Sequence, residues 1–358
     1  MNKYQLYTLI GKILALDSFP LHKETLILEL RKVSDWGQFV SMADQHLVLQ
    51  VLFPKLKDNK LYDNVPAEVY EHLKFIFELT VKRNLEIIKQ SEHVNNILLK
   101  SGISALFMKG VGNIADGVYK YPGERILHDI DILVHDDLFE KTADILLADG
   151  YKTNYQYLSG KKHLLKHYPI LFKPGEPVYL EIHRMAARKV HSKYFNNDMI
   201  FRDSRQTVSI PGFLVMSDEH KMIHNFIHAQ YDHYSRIYAR ESMRNLYDLL
   251  LLSTRKDPEA AFSGFGHYRR ATCGYLDICY STFGLAPQLR KYPFLFLHTY
   301  RRRHYLNLRY RFIGISSTFL IRIFLSFILK PVKAITDKEI RAELMGKIFL
   351  PDWYKKQF

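Results

Sequence analysis

The chain has 358 residues, of which 47% are hydrophobic and 25% are charged. This composition excludes an intrinsically disordered protein, and the length allows two or three compact units. Its cysteines, Cys273 and Cys279, form neither a C-x-x-C pair nor a metal-ligand quartet, which excludes a disulfide framework and a zinc module. A reducing, cytoplasmic setting is therefore expected.

The formal net charge is +14, and much of it lies near the C-terminus. No acidic residue occurs between Asp277 and Asp337, whereas ten basic residues do. They are Arg290, Lys291, Arg301, Arg302, Arg303, Arg309, Arg311, Arg322, Lys330 and Lys333. Such a block favours an anionic partner bound through residues 290–333: a phospholipid surface at the inner face of the membrane, RNA, or a phosphorylated acceptor. A solvated basic surface without a partner explains it nearly as well.

The N-terminal region, residues 1–101, is predicted to be helical. Its first apolar run is interrupted by Lys12 and Asp17, and no small-residue cleavage site follows, so we expect a helix and not a signal peptide. A long amphipathic pattern runs from Pro66 to Lys100 and ends just before a glycine, which predicts one long helix.

Residues 102–215 are predicted to form a mixed core, in which strand-length apolar runs surround an amphipathic helix at 138–149. The predicted strands are Ile103–Met108, Ile126–Val134, Tyr151–Leu158, His163–Phe172 and Val178–His183. The Lys173-Pro174-Gly175 turn between the last two predicts an antiparallel hairpin. The predicted fold class is therefore α+β: a small mixed β-sheet flanked by N-terminal and C-terminal helical regions.

Residues 216–358 are predicted to be helical again, with one helix from Ser217 to about Tyr231 and another over Arg240–Ser253. The run 312–329 is the most membrane-like segment. As a helix it would be about 27 Å long, just short of the roughly 30 Å hydrocarbon core. An arginine near its middle would also cost about 2.5 to 3.5 kcal/mol on insertion. We therefore expect an interfacial helix or a buried core helix and not a spanning one.

Two aspartates alternate within the predicted strand Ile126–Val134. Because side chains alternate along a strand, Asp129 and Asp131 face the same side, with Cβ atoms about 7 Å apart. Their repulsion at an effective dielectric near 20 would cost roughly 2 kcal/mol, and a divalent cation removes it. Oxygen ligands favour Mg²⁺ or Mn²⁺ over zinc. Taken alone, the pattern is more typical of acids on the solvent face of an edge strand.

The surroundings favour a metal and phosphate site. Lys109 and Gly110 lie at a strand-to-helix turn, where backbone N–H groups and a lysine can hold triphosphate. Arg125 precedes the acidic strand and can bind phosphate bidentately. Glu181 and His183 share one face of a neighbouring predicted strand, so Glu181 supplies a third carboxylate, as in two-metal phosphoryl-transfer sites.

Residues 103–255, and most strongly the run FMKGVGNIADGVYKYPGERILHDIDILVHDDLFEKTADILLADGY from Phe107 to Tyr151, resemble a bacterial family of uncharacterised nucleotidyltransferases. This family is a branch of the polymerase-β-like nucleotidyltransferase superfamily. Its members show a Leu-Lys-Gly element, then Tyr-Pro and Arg before an Asp-h-Asp-h-h-Val strand, and a helix ending in Gly-Tyr. They also carry a later Glu-x-His strand, which Glu181 and His183 match.

The resemblance implies a metal-dependent nucleotidyltransferase that moves a nucleotidyl group from an NTP, such as ATP, to an acceptor hydroxyl or phosphate. By position, Asp129 and Asp131 would bind both metals and Glu181 the catalytic one. Lys109 and Gly110 would occupy the place of the superfamily's Gly-Ser turn. That replacement keeps a second hypothesis open, a binding or regulatory protein without turnover. A third makes the basic C-terminal region the main functional part of a membrane- or RNA-associated accessory protein.

Two weaker signals lie in the C-terminal region. His220, His224 and His228 recur every four residues on one helix edge, beside apolar positions. We expect them to pack over the cleft and not to bind a metal, since no H-E-x-x-H pattern is present. Asp248 lies in a leucine-rich helix, where an ion pair with Arg244 is favoured over a role in supporting the site.

Overall fold

A mixed seven-stranded sheet forms the centre of the fold. The computed structural model describes residues 1–18, 23–153, 167–207, 210–285, 294–310, 316, 319–321, 323–336 and 341. Its strands are β1 (Leu106–Phe107), β2 (Asp129–Leu133), β3 (Lys152–Thr153), β4 (Leu171–Phe172), β5 (Tyr179–His183), β6 (Arg205–Gln206) and β7 (Leu214–Val215). They are arranged in the order β3-β4-β5-β2-β1-β7-β6.

The middle of this sheet combines both strand directions. β2 is parallel to β5 and antiparallel to β1, and β1 is parallel to β7. Ile130, Ile132, Leu180 and Ile182 are fully buried and pack in the core on one face of β2 and β5. Because side chains alternate, the acidic residues of both strands lie on the other face.

Helices precede, interrupt and follow the sheet. They are α1 (Lys3–Leu14), α2 (Lys23–Leu30), α3 (Trp36–Gln45), α4 (Leu49–Asp58), α5 (Ala67–Lys100), α6 (Lys109–Ala115), α7 (Phe139–Ala148), α8 (Asn197–Arg202), α9 (Asp218–Ile227), α10 (Ser235–Tyr238), α11 (Met243–Ser253), α12 (Pro258–Ala261), α13 (Arg269–Thr282), α14 (Phe294–Arg309) and α15 (Lys330–Thr336). The first helix, α1, contacts both α13 and α14, so the two helical regions share one core.

The longest helix, α5, joins that helical core to the sheet. Its 34 residues make it about 51 Å long. Leu73 near its start packs in the core shared by the terminal helices, whereas Ile87, Val94 and Leu98 pack in the core beneath the sheet. Pro66 precedes its first turn, a position where the missing N–H of proline costs no helical hydrogen bond.

The predicted fold class is confirmed: 63% of the fold is helical and it contains one mixed sheet. The predicted hairpin is also confirmed, because β4 and β5 pair antiparallel with Leu171 opposite Leu180. The strands are shorter than predicted. Parts of two predicted strands, residues 154–158 and 163–166, lie outside the described residues. β6 and β7 were not predicted, and the domain boundaries at 101/102 and 215/216 stay a prediction.

The helix predicted from Ser217 to Tyr231 changes its form near its end. α9 stops at Ile227, and a π-helix continues over His228–Asp232. The membrane-like run 312–329 is only partly described, as helix at 319–321 and as a π-helix over Phe324–Leu329. Within the described parts of the chain, no helix combines the length and apolarity needed to cross a bilayer.

Glu241 lies deep in the C-terminal helical core, between α10 and α11. Its Oε1 accepts hydrogen bonds from Nε2 of Gln230 at 2.8 Å and from the hydroxyl of Tyr300 at 2.7 Å. Its Oε2 is buried and has no hydrogen-bond partner among the described residues. Burial raises the pKa of Glu241 to about 7.

This raised pKa predicts that stability falls as the pH rises from about 4.5 to 7. In that window the folded chain binds a proton that the unfolded chain has released, so the contribution of Glu241 is full below the window and is lost above it. The loss amounts to about 3 kcal/mol. Replacement Glu241→Gln should remove it, as measured by urea unfolding at pH 5 and pH 8. The control is Glu78→Gln, at an exposed position. If the free energy of unfolding changed equally between pH 5 and pH 8 in Glu241→Gln and in wild type, the prediction would be wrong.

Candidate active site

The parallel register of β2 and β5 assembles an acidic centre on one face of the sheet. Asp131 is the direct partner of Glu181, and Leu133 is the partner of His183. Ligand atoms of Asp131, Glu181 and His183 all lie within 4.8 Å of one another. Among the described residues this is the one group of three or more acidic, histidine or cysteine side chains compact enough to hold a metal ion. The carboxylate of Asp131 is 1% exposed.

Lys109 provides the cation closest to this centre. Its Nζ lies 2.7 Å from Oδ1 of Asp131. The residue stands just after β1, where the N–H of Met108 donates to the backbone carbonyl of Asp131, and its φ of +51° is in the left-handed region. For a lysine that conformation costs on the order of 1 kcal/mol, so the surrounding contacts hold the side chain in place.

Charge and burial compete at Asp131. Burial alone would raise the pKa of Asp131, but the ammonium of Lys109 and the imidazole of His183 outweigh it and hold that pKa well below its ordinary value. In turn the carboxylate overcomes the burial of Lys109 and raises the pKa of the lysine. Both groups are therefore charged at neutral pH.

Asp129 shares the face of Asp131 but does not join the compact group. It stands at the start of β2, where its partner on β5 is Tyr179 and not a second acid. Burial and the charge of Asp131 raise the pKa of Asp129. The structure therefore places Asp129 beside the metal-ligand group, within electrostatic reach of Asp131, Glu181 and Lys109.

His183 belongs to the acidic centre, a role that was not predicted for it from the sequence. Its Nε2 lies 2.8 Å from Oδ1 of Asp131 and 3.4 Å from Oε2 of Glu181. A hydrogen bond with His183 lowers the pKa of Glu181. The Glu-x-His spacing was the available signal, since it sets both side chains on one face of a strand.

Arg125 is held by a turn that α5 and α11 fix. Nδ2 of Asn84 donates to the backbone carbonyls of Pro122 and Arg125, each at 2.6 Å. The guanidinium is almost fully buried, and its Nε donates to Oδ2 of Asp248 at 3.2 Å. The hydroxyl of Tyr119 donates to the other oxygen of Asp248 at 2.7 Å.

This arrangement corrects the interpretation of Asp248. The expected ion pair with Arg244 is wrong, because Asp248 turns toward the site and binds Arg125 and Tyr119 instead. Nε of Arg244 is buried and has no hydrogen-bond partner among the described residues. Burial and the charge of Arg125 lower the pKa of Arg244 to about 10. Arg244 also interacts electrostatically with Asp129, which makes it a second arginine near the acidic centre.

Lys109 and Arg125 line a cavity of about 40 Å³, to whose lining the acidic centre itself does not contribute. It is lined by Phe107, Met108, Lys109, Asn113, Arg125, Met216, Lys221, His224, Asn225, His228, Asn245 and Asp248. Each of the three cationic side chains in this lining forms an ion pair with a carboxylate. Lys109 pairs with Asp131, Arg125 with Asp248, and Lys221 with Asp116. The space suits a few water molecules or the oxygens of one phosphoryl group and is too small for a whole nucleotide.

The three regularly spaced histidines lie between this cavity and the α8 region. His220 and His224 contact the ring of Phe195, and His224 and His228 line the cavity. Burial and the nearby ammonium of Lys109 hold the pKa of His228 well below its ordinary value, so it is neutral. The described residues contain no compact metal-ligand group at these histidines.

Gly110 and Gly112 let α6 approach the strands closely. A Cβ on Gly110 would lie 2.4 Å from a methyl carbon of Leu127, and one on Gly112 would lie 2.3 Å from the carbonyl oxygen of Phe107. A side chain at position 112 would push α6, and with it Lys109, away from β1, whereas one at position 110 would displace the tip of Leu127 just before β2. Gly110 therefore has a packing role whether or not its N–H contacts a phosphate.

Comparison with known proteins identifies the family of this chain. No curated protein matches the chain. The family model described as "Uncharacterised nucleotidyltransferase" matches residues 32–290, well over half of the sequence and more than the segment 103–255 in which the resemblance was recognised. The match includes α3 to α13, and with them both acidic strands and Asp248. The chain belongs to this family of uncharacterised nucleotidyltransferases.

Proposed function

We propose that the chain is a metal-dependent enzyme that transfers a nucleotidyl group from an NTP to an acceptor hydroxyl or phosphate. The parallel register that sets Asp131 opposite Glu181 carries this proposal, because it brings carboxylates from two strands to one point. Phosphoryl-transfer sites use such acids to hold divalent cations. Membership of the family supports the same class of reaction.

The charges of this centre fit a divalent cation. Three carboxylates, those of Asp129, Asp131 and Glu181, interact with one ammonium, that of Lys109. The excess negative charge is partly buried, where it is costly unless a cation compensates it. Asp131 and Glu181 would hold Mg²⁺ or Mn²⁺ directly, and Asp129 would complete the site from the neighbouring position. A bound metal would polarise the α-phosphate and neutralise the charge that develops on it.

The remaining residues bind and orient the substrates. Lys109 and Arg125 line the cavity beside the acidic centre, where they would hold phosphoryl oxygens of the NTP. Because this cavity is too small for a nucleoside, the base and ribose would lie outside it. Glu181 is more exposed than Asp131, so one of its oxygens would accept the proton of the acceptor hydroxyl while the other holds the metal; its lowered pKa makes it a weak base.

The experiment that tests the proposal is pyrophosphate release from each of the four NTPs with Mg²⁺ or Mn²⁺. The mixtures would contain candidate acceptors, namely small molecules, protein and RNA, and an α-³²P label would reveal the modified acceptor. We expect release with at least one NTP and a transferred label. Binding of an NTP without pyrophosphate release in any mixture would favour a binding or regulatory protein, a hypothesis that the Lys-Gly turn keeps open.

We further propose that the basic C-terminal region holds the enzyme at the cytoplasmic face of an anionic membrane. Arg302 and Arg309 are exposed on α14, and Leu306 on the same helix is 38% exposed. Beyond this helix the exposed apolar side chains are Tyr310, Phe319, Leu320, Phe324, Phe327, Ile328, Val332 and Ile335. Leucine, isoleucine and valine side chains exposed near arginines are typical of a helix that lies in a lipid interface, whereas RNA would use the exposed aromatic rings alone. Arg290, Lys291, Arg311 and Arg322 lie outside the described residues.

Liposome flotation tests this second proposal. The protein should float with vesicles that contain anionic lipid and not with neutral ones. Replacement of Arg302 and Arg309 by glutamate should lower the bound fraction more than about tenfold, since each basic residue contributes about 1 kcal/mol. The same charge change at exposed Lys82 and Lys89 on α5 is the control. If the protein shifts RNA in a gel but does not float with anionic vesicles, the membrane proposal is wrong and the partner is RNA.

A further inference from the structure

The metal-ligand group contains a nitrogen donor as well as oxygen donors. Nε2 of His183 stands 2.8 Å from Oδ1 of Asp131 and 3.4 Å from Oε2 of Glu181. Two ligand atoms that bind one ion at about 2.1 Å and at a right angle are about 3 Å apart. The distances from Nε2 of His183 to the carboxylate oxygens of Asp131 and Glu181 are therefore those expected between neighbouring ligands of one ion.

The backbone of His183 is fixed on both sides. β2 pairs with it on one side, where the N–H of Val134 donates to its carbonyl. On the other side it forms a bridge with His167. The imidazole is 4% exposed. Because its backbone is held on both sides, the side chain of His183 has little conformational freedom beside the acidic centre, as is usual for metal ligands.

A purely structural role for His183 would be to donate a hydrogen bond from Nε2 to Asp131. That role requires the proton on Nε2, and it leaves the lone pair of Nδ1 buried. Nδ1 has no hydrogen-bond partner among the described residues, so no acceptor or donor there selects one tautomer. Whichever nitrogen carries the proton, Nδ1 stays without a partner, so turning the Nε2 lone pair toward a cation gives up the hydrogen bond to Asp131 and no other.

We propose that His183 is a metal ligand and that the site consequently prefers a first-row transition ion such as Mn²⁺ over Mg²⁺. This inference rests on the proposed function, which places a divalent cation at Asp131 and Glu181. Mg²⁺ is a hard cation that takes oxygen ligands and keeps several waters. Imidazole suits transition ions, so replacing a carboxylate by a histidine shifts the preference toward them.

Pulsed electron paramagnetic resonance of Mn²⁺ bound to the full-length protein tests the ligand directly. Wild type should show the ¹⁴N modulation of a coordinated imidazole, and His183→Gln should lose it. Replacement of the neighbouring, exposed His167, whose ring centre lies 5.5 Å from that of His183, is the matched control and should keep the modulation. Calorimetric competition should show that wild type binds Mn²⁺ about tenfold or more tightly than Mg²⁺, with a smaller ratio in His183→Gln.

The outcomes separate this inference from the proposed function. Bound Mn²⁺ without ¹⁴N modulation in wild type would overturn the role of His183 and leave a carboxylate metal site standing. Modulation that persists in His183→Gln would assign the nitrogen to another histidine and would also overturn it. Failure of wild type to bind Mn²⁺ at all would overturn both proposals. Since the wild-type spectrum decides the first case, the test does not depend on the folding of the variant.

Discussion

Replacement of Asp131 by asparagine is expected to reduce nucleotidyl transfer by more than about a hundredfold. Loss of a residue that only supports a metal ligand costs about 10- to 100-fold, and Asp131 is a ligand itself in the proposed site. It faces Glu181 across the two strands and contacts both Lys109 and His183. Asparagine keeps the shape of the side chain but removes the negative charge on which cation binding depends. The measurements are turnover of the NTP that wild type consumes and calorimetric titration with Mn²⁺.

Asp137→Asn is the matched control for this change. Asp137 follows β2 after three intervening residues and is exposed to solvent, so its loss should alter turnover by less than about twofold. Circular dichroism would establish that both variants fold. Equal Mn²⁺ binding by Asp131→Asn and wild type would contradict the assignment of the metal to this residue.

The acidic strand could be predicted from the sequence because the pattern that defines it lies within a few consecutive residues. Alternation at Asp129 and Asp131 fixes a shared face as soon as the segment is a strand, and Ile130 and Ile132 supply the buried face that makes it one. The same rule placed Glu181 and His183 together. The short apolar runs between helical patterns also predicted the α+β fold, and the mixed sheet with its flanking helices confirms it.

The remaining features depend on contacts between distant parts of the chain. The sequence predicts that two acidic strands belong to one sheet, but the parallel register that pairs Asp131 with Glu181 arises only when the sheet forms. β6 and β7 have two residues each, too few for a periodic pattern. For Asp248 a local rule favoured the partner four residues earlier on the helix, whereas the observed partner, Arg125, is 123 residues away.

The second large expected effect concerns the pair of Asp248 and Arg125. Replacement Asp248→Ala should lower the free energy of unfolding by about 3 to 5 kcal/mol. Asp248 and Arg125 are 4% and 8% exposed, so the substitution leaves a buried guanidinium without its counter-ion. Arg244 is close enough to repel it further. Urea denaturation measures the change. The control is Asp203→Ala, which removes an exposed ion pair with Arg202 and should cost less than about 1 kcal/mol.

The double variant Arg125→Met, Asp248→Leu separates the structural role of this pair from its role with substrate. With neither charge of the pair left, much of the lost stability should return, since apolar residues of similar size often replace buried ion pairs without cost. The part that does not return includes the hydrogen bond from Tyr119 to Asp248. NTP affinity should fall below that of wild type, because the double variant removes the guanidinium that lines the cavity with Lys109. Recovery of both stability and affinity would make Arg125 a purely structural residue, and phosphate binding would then fall to Lys109 and Arg244. A stability loss below 1 kcal/mol in Asp248→Ala would instead contradict the burial argument itself.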